Sequence, residues 1–248
     1  MRSSKGGEVT IIEGTSRRRG RPSLSETTQL DKQAIIAKGL QLAKTKALHQ
    51  ITITGIAKDC GVTPALIHYL IPGKDGLISG VMNAFYKKIC TRWPKNTDDW
   101  RQHLEAVARH IYKMQSTYRG VVLYTATHNR YRIVQNVSEG EIDYGLKYLD
   151  LLIQSAMTMG LDPHNTMALC ENFVDLIIGA TRQAIDTRLP RQHEEYLRGV
   201  IGKLNIEKYP GIGFVGDELY LTDPDSLFES SLHMLLDAFE MRRKELIG

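Results

Sequence analysis

A chain of 248 residues is long enough for one or two domains with a substantial core, so its size alone requires neither disulfides nor a metal ion. Hydrophobic residues make up 42% and charged residues 24%, which excludes a disordered or collagen-like chain. No apolar run approaches about 18 residues, so we expect no transmembrane helix, and the polar first residues predict no secretory signal. The three cysteines, Cys60, Cys90 and Cys170, form no CxxC pair and are typical of reduced thiols, so we expect a cytoplasmic protein.

The charge changes sign along the chain, although the net charge is only +4. Residues 1–92 carry 15 Lys and Arg against 6 Asp and Glu, whereas residues 93–248 carry 17 against 22. A basic first part joined to an acidic remainder favours contact between the first part and a polyanion. A basic tail without any partner would explain the charge alone equally well.

Apolar residues recur at helical spacing from Leu30 onward, while residues 1–29 lack this pattern and predict a basic, flexible arm. We find no alternating strand pattern of convincing length, so the predicted class is all-α. Residues 190–224 are rich in Gly and Pro and predict a long loop with one short helix. The other predicted helices begin near Asp31 and then cover 53–60, 63–71, 74–92, 100–118, 121–129, 139–159, 164–187 and 224–246.

The segment from Ile53 to Leu70 carries the sharpest local pattern. Two short apolar stretches flank Gly61, and Ala57 is small enough for two helices to cross closely. Thr63 suits an N-cap and Pro64 suits the first helical turn. This pattern predicts a helix-turn-helix, with an ordinary helical corner inside a core as the alternative reading.

Four short stretches of the chain resemble the Tet-repressor-like (TetR) family of transcriptional regulators: Thr52-Ile53-Thr54-Gly55-Ile56-Ala57, Gly61-Val62-Thr63, Ile67-His68 and Lys74-Asp75-Gly76-Leu77. The resemblance implies a helix-turn-helix DNA-binding domain over 30–75, whose third helix enters the major groove. It also implies contacts to the DNA backbone from Thr52, Thr63, His68 and Lys74. The implied surface facing base edges consists of Pro64, Ala65, Leu66 and Tyr69.

Later segments resemble the ligand-binding domain of the Tet-repressor subclass: Trp100 to Leu104, Tyr118-Arg119-Gly120 and Phe228 to Leu232. The resemblance implies a ligand-binding and dimerisation domain over 76–248, with the dimer formed by residues 164–187 and 225–246. The residues expected to line its pocket are His103, Val107, Ile111, Tyr124, His128 and Phe173.

The arm contains Arg19-Gly20-Arg21-Pro22, which resembles the core of an AT-hook. Narrow A·T-rich minor grooves have an enhanced negative potential that attracts arginine, so Arg19 and Arg21 are candidates for minor-groove insertion. An arm that contacts only phosphates is the alternative.

Other motifs lack the context that their chemistry needs. Gly211 to Gly216 matches GxGxxG, but no strand precedes it and no helix opens after it, so we expect no nucleotide cofactor. His103 and His110 have no visible third ligand, so we expect no metal site. No nucleophile elbow or paired Cys/His catalytic signature is present.

These observations predict a homodimeric regulator, a repressor by the family resemblance, that binds a double-stranded DNA operator and is released by a small-molecule effector. One recognition helix reads too few base pairs, so two copies are expected to read a palindrome. Two alternatives stay open: an architectural A·T-rich DNA-binding protein without an effector, and an all-helical enzyme.

Overall fold

The computed structural model describes residues 31–125, 127, 133–186 and 189–247. Every regular element within these residues is helical, which confirms the all-α prediction. The α-helices are α1 (Lys32–Leu42), α2 (Ile53–Cys60), α3 (Pro64–Leu70), α4 (Gly73–Thr91), α5 (Trp100–Thr117), α6 (Arg119–Thr125), α7 (Tyr144–Met157), α8 (Pro163–Ile185), α9 (Glu194–Ile201), α10 (Pro210–Val215) and α11 (Pro224–Ile247).

Side-chain caps fix where the first three helices begin. Asp31 accepts a hydrogen bond of 2.7 Å from the Ala34 backbone N–H, and Thr52 accepts one of 3.0 Å from Gly55. Thr63 caps α3 in the same way. Each cap pairs one of the N–H groups that a helix start leaves without an internal partner.

Helices α1 to α4 form one packed unit. Ile35, Ile56 and Ile67, one from each of α1, α2 and α3, are completely buried. Gly61 ends α2 with φ of +67°, a left-handed conformation that glycine adopts without steric cost. The chain can therefore turn sharply and place α3 against α1 and α2.

The remaining long helices build a second layer around α8, which packs against α5, α7 and α11. Helix α4 runs from the first unit into this layer and packs along α7. Arg109 on α5 joins α11 through parallel 2.8 Å hydrogen bonds to Glu229, and this pairing lowers the pKa of the Glu229 carboxyl.

Two segments differ from the sequence prediction. The helix expected over 139–159 begins only at Tyr144, because Gly140 is left-handed at φ of +79° and Asp143 caps the first turn. The long loop expected over 190–224 instead contains α9, α10 and three short 3₁₀ turns. Arg198 ties this segment together, since it binds Glu194 and Asp217 and stacks on the Tyr220 ring.

Among the helices of the described residues, none is both long enough and apolar enough to cross a membrane.

Candidate nucleic-acid interface and ligand groove

Helix α3 presents almost its whole surface to solvent. Ile67 is fully buried and anchors the helix, whereas Tyr69 is 85% exposed and Leu66 is 38% exposed. Pro64, Ala65 and His68 are exposed as well. The structure therefore brings all the predicted base-facing residues onto one rigid, outward surface.

The two threonines predicted to contact the DNA backbone, Thr52 and Thr63, cap α2 and α3 through their hydroxyl oxygens. Thr52 accepts from the Gly55 N–H at 3.0 Å and Thr63 accepts from the Leu66 N–H at 3.4 Å. In both residues the hydroxyl hydrogen stays available, so each side chain can donate to a phosphate oxygen while it caps its helix.

Lys74, at the start of α4, is exposed and donates a hydrogen bond of 2.7 Å to the backbone carbonyl of His49. This bond ties α4 to the 3₁₀ turn before α2 and holds the ammonium group at the edge of the α1–α3 unit. An ammonium group has three donors, so two remain for a phosphate.

The three other predicted contacts lie outside the described residues: Arg19 and Arg21 in the arm, and His128 after α6.

The described members of the predicted pocket are packed side chains of the core. Val107, Ile111, Tyr124 and Phe173 are each at most 1% exposed. They lie on α5, α6 and α8, three helices that pack against one another.

His103 is 3% exposed, and both of its ring nitrogens face protein atoms. Nδ1 lies 3.2 Å from the Lys95 carbonyl, which can only accept, so Nδ1 is the donor. Nε2 lies 3.0 Å from Ser155 Oγ, and this oxygen accepts a hydrogen bond of 3.1 Å from the Trp93 indole N–H. In this structure His103 joins α5 to α7 and to the segment before α5.

An open groove of about 1060 Å³ lies on a neighbouring face of α5, between α1, α4, α5 and residues 136–144. We call it the α4–α5 groove. Its lining contains apolar side chains, among them Ile36, Leu40, Met114 and Tyr118, and five cations: Lys32, Lys87, Lys88, Arg92 and Lys113. The five predicted pocket residues that the structure describes do not line it.

Residues 133–143 connect the two layers beside this groove. The Ser79 hydroxyl accepts from the Asn136 N–H at 2.6 Å, and the Asn83 amide binds the Ile142 carbonyl and the Tyr144 N–H. Lys32 on α1 donates to Glu141 at 3.2 Å; the Ser138 backbone N–H and then Lys32 lower the pKa of this carboxyl.

Direct contacts also join α4 to α5. The His110 ring nitrogen donates to the Ile89 carbonyl at 3.0 Å, and the rings of Phe85 and Tyr118 lie 5.7 Å apart. These two contacts make α4 and α5 antiparallel. Motif reasoning missed the groove, although one signal existed: residues 76–93 and 106–119 contain no Asp or Glu.

No cluster of three or more His, Cys, Asp or Glu side chains within the described part of the chain could hold a metal ion.

Solved structures similar to this chain cover most of its length. ActR from Streptomyces coelicolor, in its apo form, matches with a TM-score of 0.70 and 13% identity, over 88% of this chain and 98% of ActR. SCO7222, a TetR transcriptional regulator from the same organism, matches with a TM-score of 0.64 and 18% identity, over 84% and 97%. TetR from Acinetobacter baumannii AYE matches with a TM-score of 0.58 and 19% identity, over 87% and 99%.

ActR is also known in complex with actinorhodin, and a variant of the A. baumannii TetR in complex with minocycline. No protein-family model matches the sequence, and neither does any curated protein sequence. The solved structures nevertheless show that the chain has the fold of the TetR-family transcriptional regulators, as the sequence resemblance predicted.

Proposed function

We propose that this protein is a cytoplasmic, ligand-responsive transcriptional repressor of the TetR family, which binds a palindromic DNA operator as a homodimer and is released by a small-molecule effector. The outward surface of α3 carries the proposal. Tyr69 is 85% exposed, one turn from Leu66 and beside the fully buried Ile67. A rigid helix that exposes apolar and aromatic side chains fits a partner surface such as the DNA major groove.

Within this interface, Pro64, Ala65, Leu66 and Tyr69 face base edges. Thr52, Thr63, His68 and Lys74 contact the DNA backbone, and Arg19 and Arg21 enter the adjacent minor groove. The free hydroxyl donors of the two threonines and the fixed position of Lys74 support the backbone assignment. Contacts to phosphates set the register of the protein, while contacts to base edges set its sequence preference.

The effector acts by opposing DNA binding. A ligand that prefers the conformation unable to bind DNA must lower DNA affinity by the same factor by which DNA lowers its own affinity. The ligand complexes of ActR and TetR support this mode of action. Helix α4 is the connecting element, because Lys74 lies in its first turn and its far half contacts α5 and α7.

The interior pocket lined by His103, Val107, Ile111, Tyr124, His128 and Phe173 remains a prediction. Its described members are closely packed, so a ligand at this position requires α5 to move away from α8.

Two substitutions at the interface test the proposal, and they should fail in different ways. Operators are first selected from a random DNA pool, and affinities are then measured for a selected duplex and a random duplex at several salt concentrations. Lys74→Ala removes a phosphate contact, so both affinities should fall equally and the salt slope should shrink by about one. Tyr69→Ala should relax the preference at one or two base pairs, each worth about 1–3 kcal/mol.

Two matched controls lie far from α3 in sequence: Lys203→Ala, an exposed lysine, and Tyr196→Ala, a tyrosine that is 72% exposed. Both should bind DNA as the unaltered protein does. Failure of the pool to yield a palindrome, or equal loss on both duplexes for Tyr69→Ala, would refute the assigned recognition surface.

A further inference from the structure

The cations that line the α4–α5 groove belong to stretches of sequence without acidic residues. Residues 31–248 as a whole are nearly balanced, with 26 Lys and Arg against 25 Asp and Glu. The stretches 32–50, 76–93 and 106–119, however, contain ten Lys and Arg and no Asp or Glu. The helices α1, α4 and α5 draw their groove-lining faces from these stretches, so the local charge is strongly positive.

Among the described residues, three of the five groove cations have neither a carboxylate nor an aromatic ring beside them. Lys32 is paired with Glu141, and Lys87 lies 5.5 Å above the Tyr144 ring. Within the described residues, by contrast, Lys88, Arg92 and Lys113 have no carboxylate within 4.0 Å. All three are exposed at the rim of the groove.

The antiparallel packing of α4 and α5 places these three cations along one section of the rim. Lys113 on α5 lies between His110, which contacts Ile89 of α4, and Tyr118 at the end of α5, which contacts Phe85 of α4. It therefore faces the part of α4 that carries Lys88, with Arg92 one turn further along. The dipole of α4 favours cations at its C-terminal end, which would explain Lys88 and Arg92 without a ligand. It does not explain Lys113, because Lys113 belongs to α5 and lies before the last turn of that helix.

The basic rim and the apolar lining together indicate the charge and polarity of a ligand that would fit the groove. Like charges held close together without a counter-ion repel one another, and an anion between them removes this cost. The apolar lining from Met114, Tyr118 and Leu40 offers a surface for a hydrophobic or aromatic body. Neither feature alone would select a ligand that is both apolar and negatively charged.

We infer that the α4–α5 groove binds an organic anion, with its apolar body against Met114 and Tyr118 and its carboxylate, sulfonate or phosphate group beside Lys88, Arg92 and Lys113. Insofar as this ligand is the effector, the inference rests on the function proposed above. The groove is well placed for that role, because a ligand in it contacts α1 and α4 of the DNA-binding unit together with α5.

Two fluorescent probes with the same aromatic body test the inference on the full chain. Anilinonaphthalene sulfonate carries one negative charge, and N-phenylnaphthylamine is its uncharged counterpart. The triple variant Lys88→Gln/Arg92→Gln/Lys113→Gln should bind the sulfonate about tenfold more weakly than the unaltered protein, while its affinity for the uncharged probe stays the same. The matched control Lys95→Gln/Lys203→Gln/Lys208→Gln removes as many exposed cations elsewhere and should change neither affinity. Circular dichroism and thermal unfolding show that both variants are folded.

Equal sulfonate affinity in the two triple variants would overturn the inference, and so would a parallel loss of both probes in the groove variant. Random duplex DNA supplies a further outcome, since a basic rim could instead contact phosphates. We expect the groove variant to keep the salt slope of DNA binding; a decrease of about three would reassign the rim to DNA. The probe measurements need no DNA, so they stand even if the protein proves not to bind an operator.

Discussion

At the scale of single residues, burial lowers the reactivity of two of the three cysteine thiols. It raises the pKa of both Cys90 and Cys170 to about 11, and the Cys90 thiol also lies 3.7 Å from the Tyr144 carbonyl. A thiol reacts as its thiolate, so at pH 8 only about one molecule in a thousand is reactive at each of these two positions. Cys60, at the last position of α2, is partly exposed.

We therefore predict a single fast-reacting thiol in the native protein at pH 8, measured with a chromogenic disulfide reagent. Cys60→Ser should abolish the fast phase, whereas Cys90→Ser and Cys170→Ser should leave it unchanged. Because the thiolate fraction of Cys90 and Cys170 rises as the pH approaches 11, the slow phase should accelerate with pH. Release of more than one equivalent at the fast rate in the folded protein would contradict this picture.

The residues that sequence reasoning placed correctly are those whose role depends on their neighbours in the chain. Thr52 and Thr63 cap the helices that follow them, and Gly61 takes the left-handed turn that its position between two apolar stretches suggested. His103 shows what local sequence patterns do not predict. Its partner Ser155 lies 52 positions away on α7, and no local pattern reveals a hydrogen bond between two separate helices.

At the scale of elements, the junction of α6 with the end of α1 depends on the absence of a side chain. The Gly120 N–H donates to the Ala43 carbonyl at 2.8 Å, and a Cβ atom on Gly120 would lie 1.8 Å from the Lys46 carbonyl oxygen. Real side chains do not approach a backbone oxygen so closely. Any residue with a Cβ must therefore push α6 away from the segment that follows α1.

Gly120→Ala should destabilise the protein by about 1–3 kcal/mol, which is typical of an overpacked site. Gly199 offers a matched control within α9, since it is exposed and a Cβ there meets nothing within 4 Å. Gly199→Ala should stabilise the protein by up to about 1 kcal/mol, because alanine favours the helix over glycine. Urea unfolding of both variants measures whether each substitution lowers or raises the free energy of unfolding. Equal stability of Gly120→Ala and the unaltered protein would exclude the tight junction.

The elements also show which patterns predict structure well. Long amphipathic helices such as α5, α8 and α11 follow from apolar spacing alone, and the described boundaries lie within two residues of the predicted ones. The segment 190–224 was harder, because its glycines and prolines indicate turns, while short helices such as α10 begin at a proline and end at a glycine. Such helices depend on contacts within the segment, which composition does not reveal.

At the scale of the whole molecule, apolar side chains remain exposed on two helices that pack against each other. On α11, Met234 is 61% exposed and Met241 is 66% exposed, and Ala238 between them is exposed as well. Their spacing of seven residues puts both methionines on one face of the helix. On α8, Met167 is 38% exposed. These residues lie within the segments that the family resemblance assigns to the dimer, so we expect a second copy of the chain to cover them.

The double variant Met234→Glu/Met241→Glu tests this assembly. Burying a methionine contributes about 1.5–3 kcal/mol, and a glutamate at the same place would have to lose its hydration, so the dimer dissociation constant should rise at least about a hundredfold. Sedimentation equilibrium should then give the monomer mass of 28.0 kDa in place of twice that value. The variant should also lose most of its affinity for a full palindrome but little for an isolated half-site, because only the dimer gains from two half-sites about 34–36 Å apart.

The matched control Leu146→Glu/Met157→Glu alters two exposed apolar residues of α7, 47% and 59% exposed, and should leave the dimer intact. A Met234→Glu/Met241→Glu protein that still sediments as a dimer would place the contact between subunits on another surface.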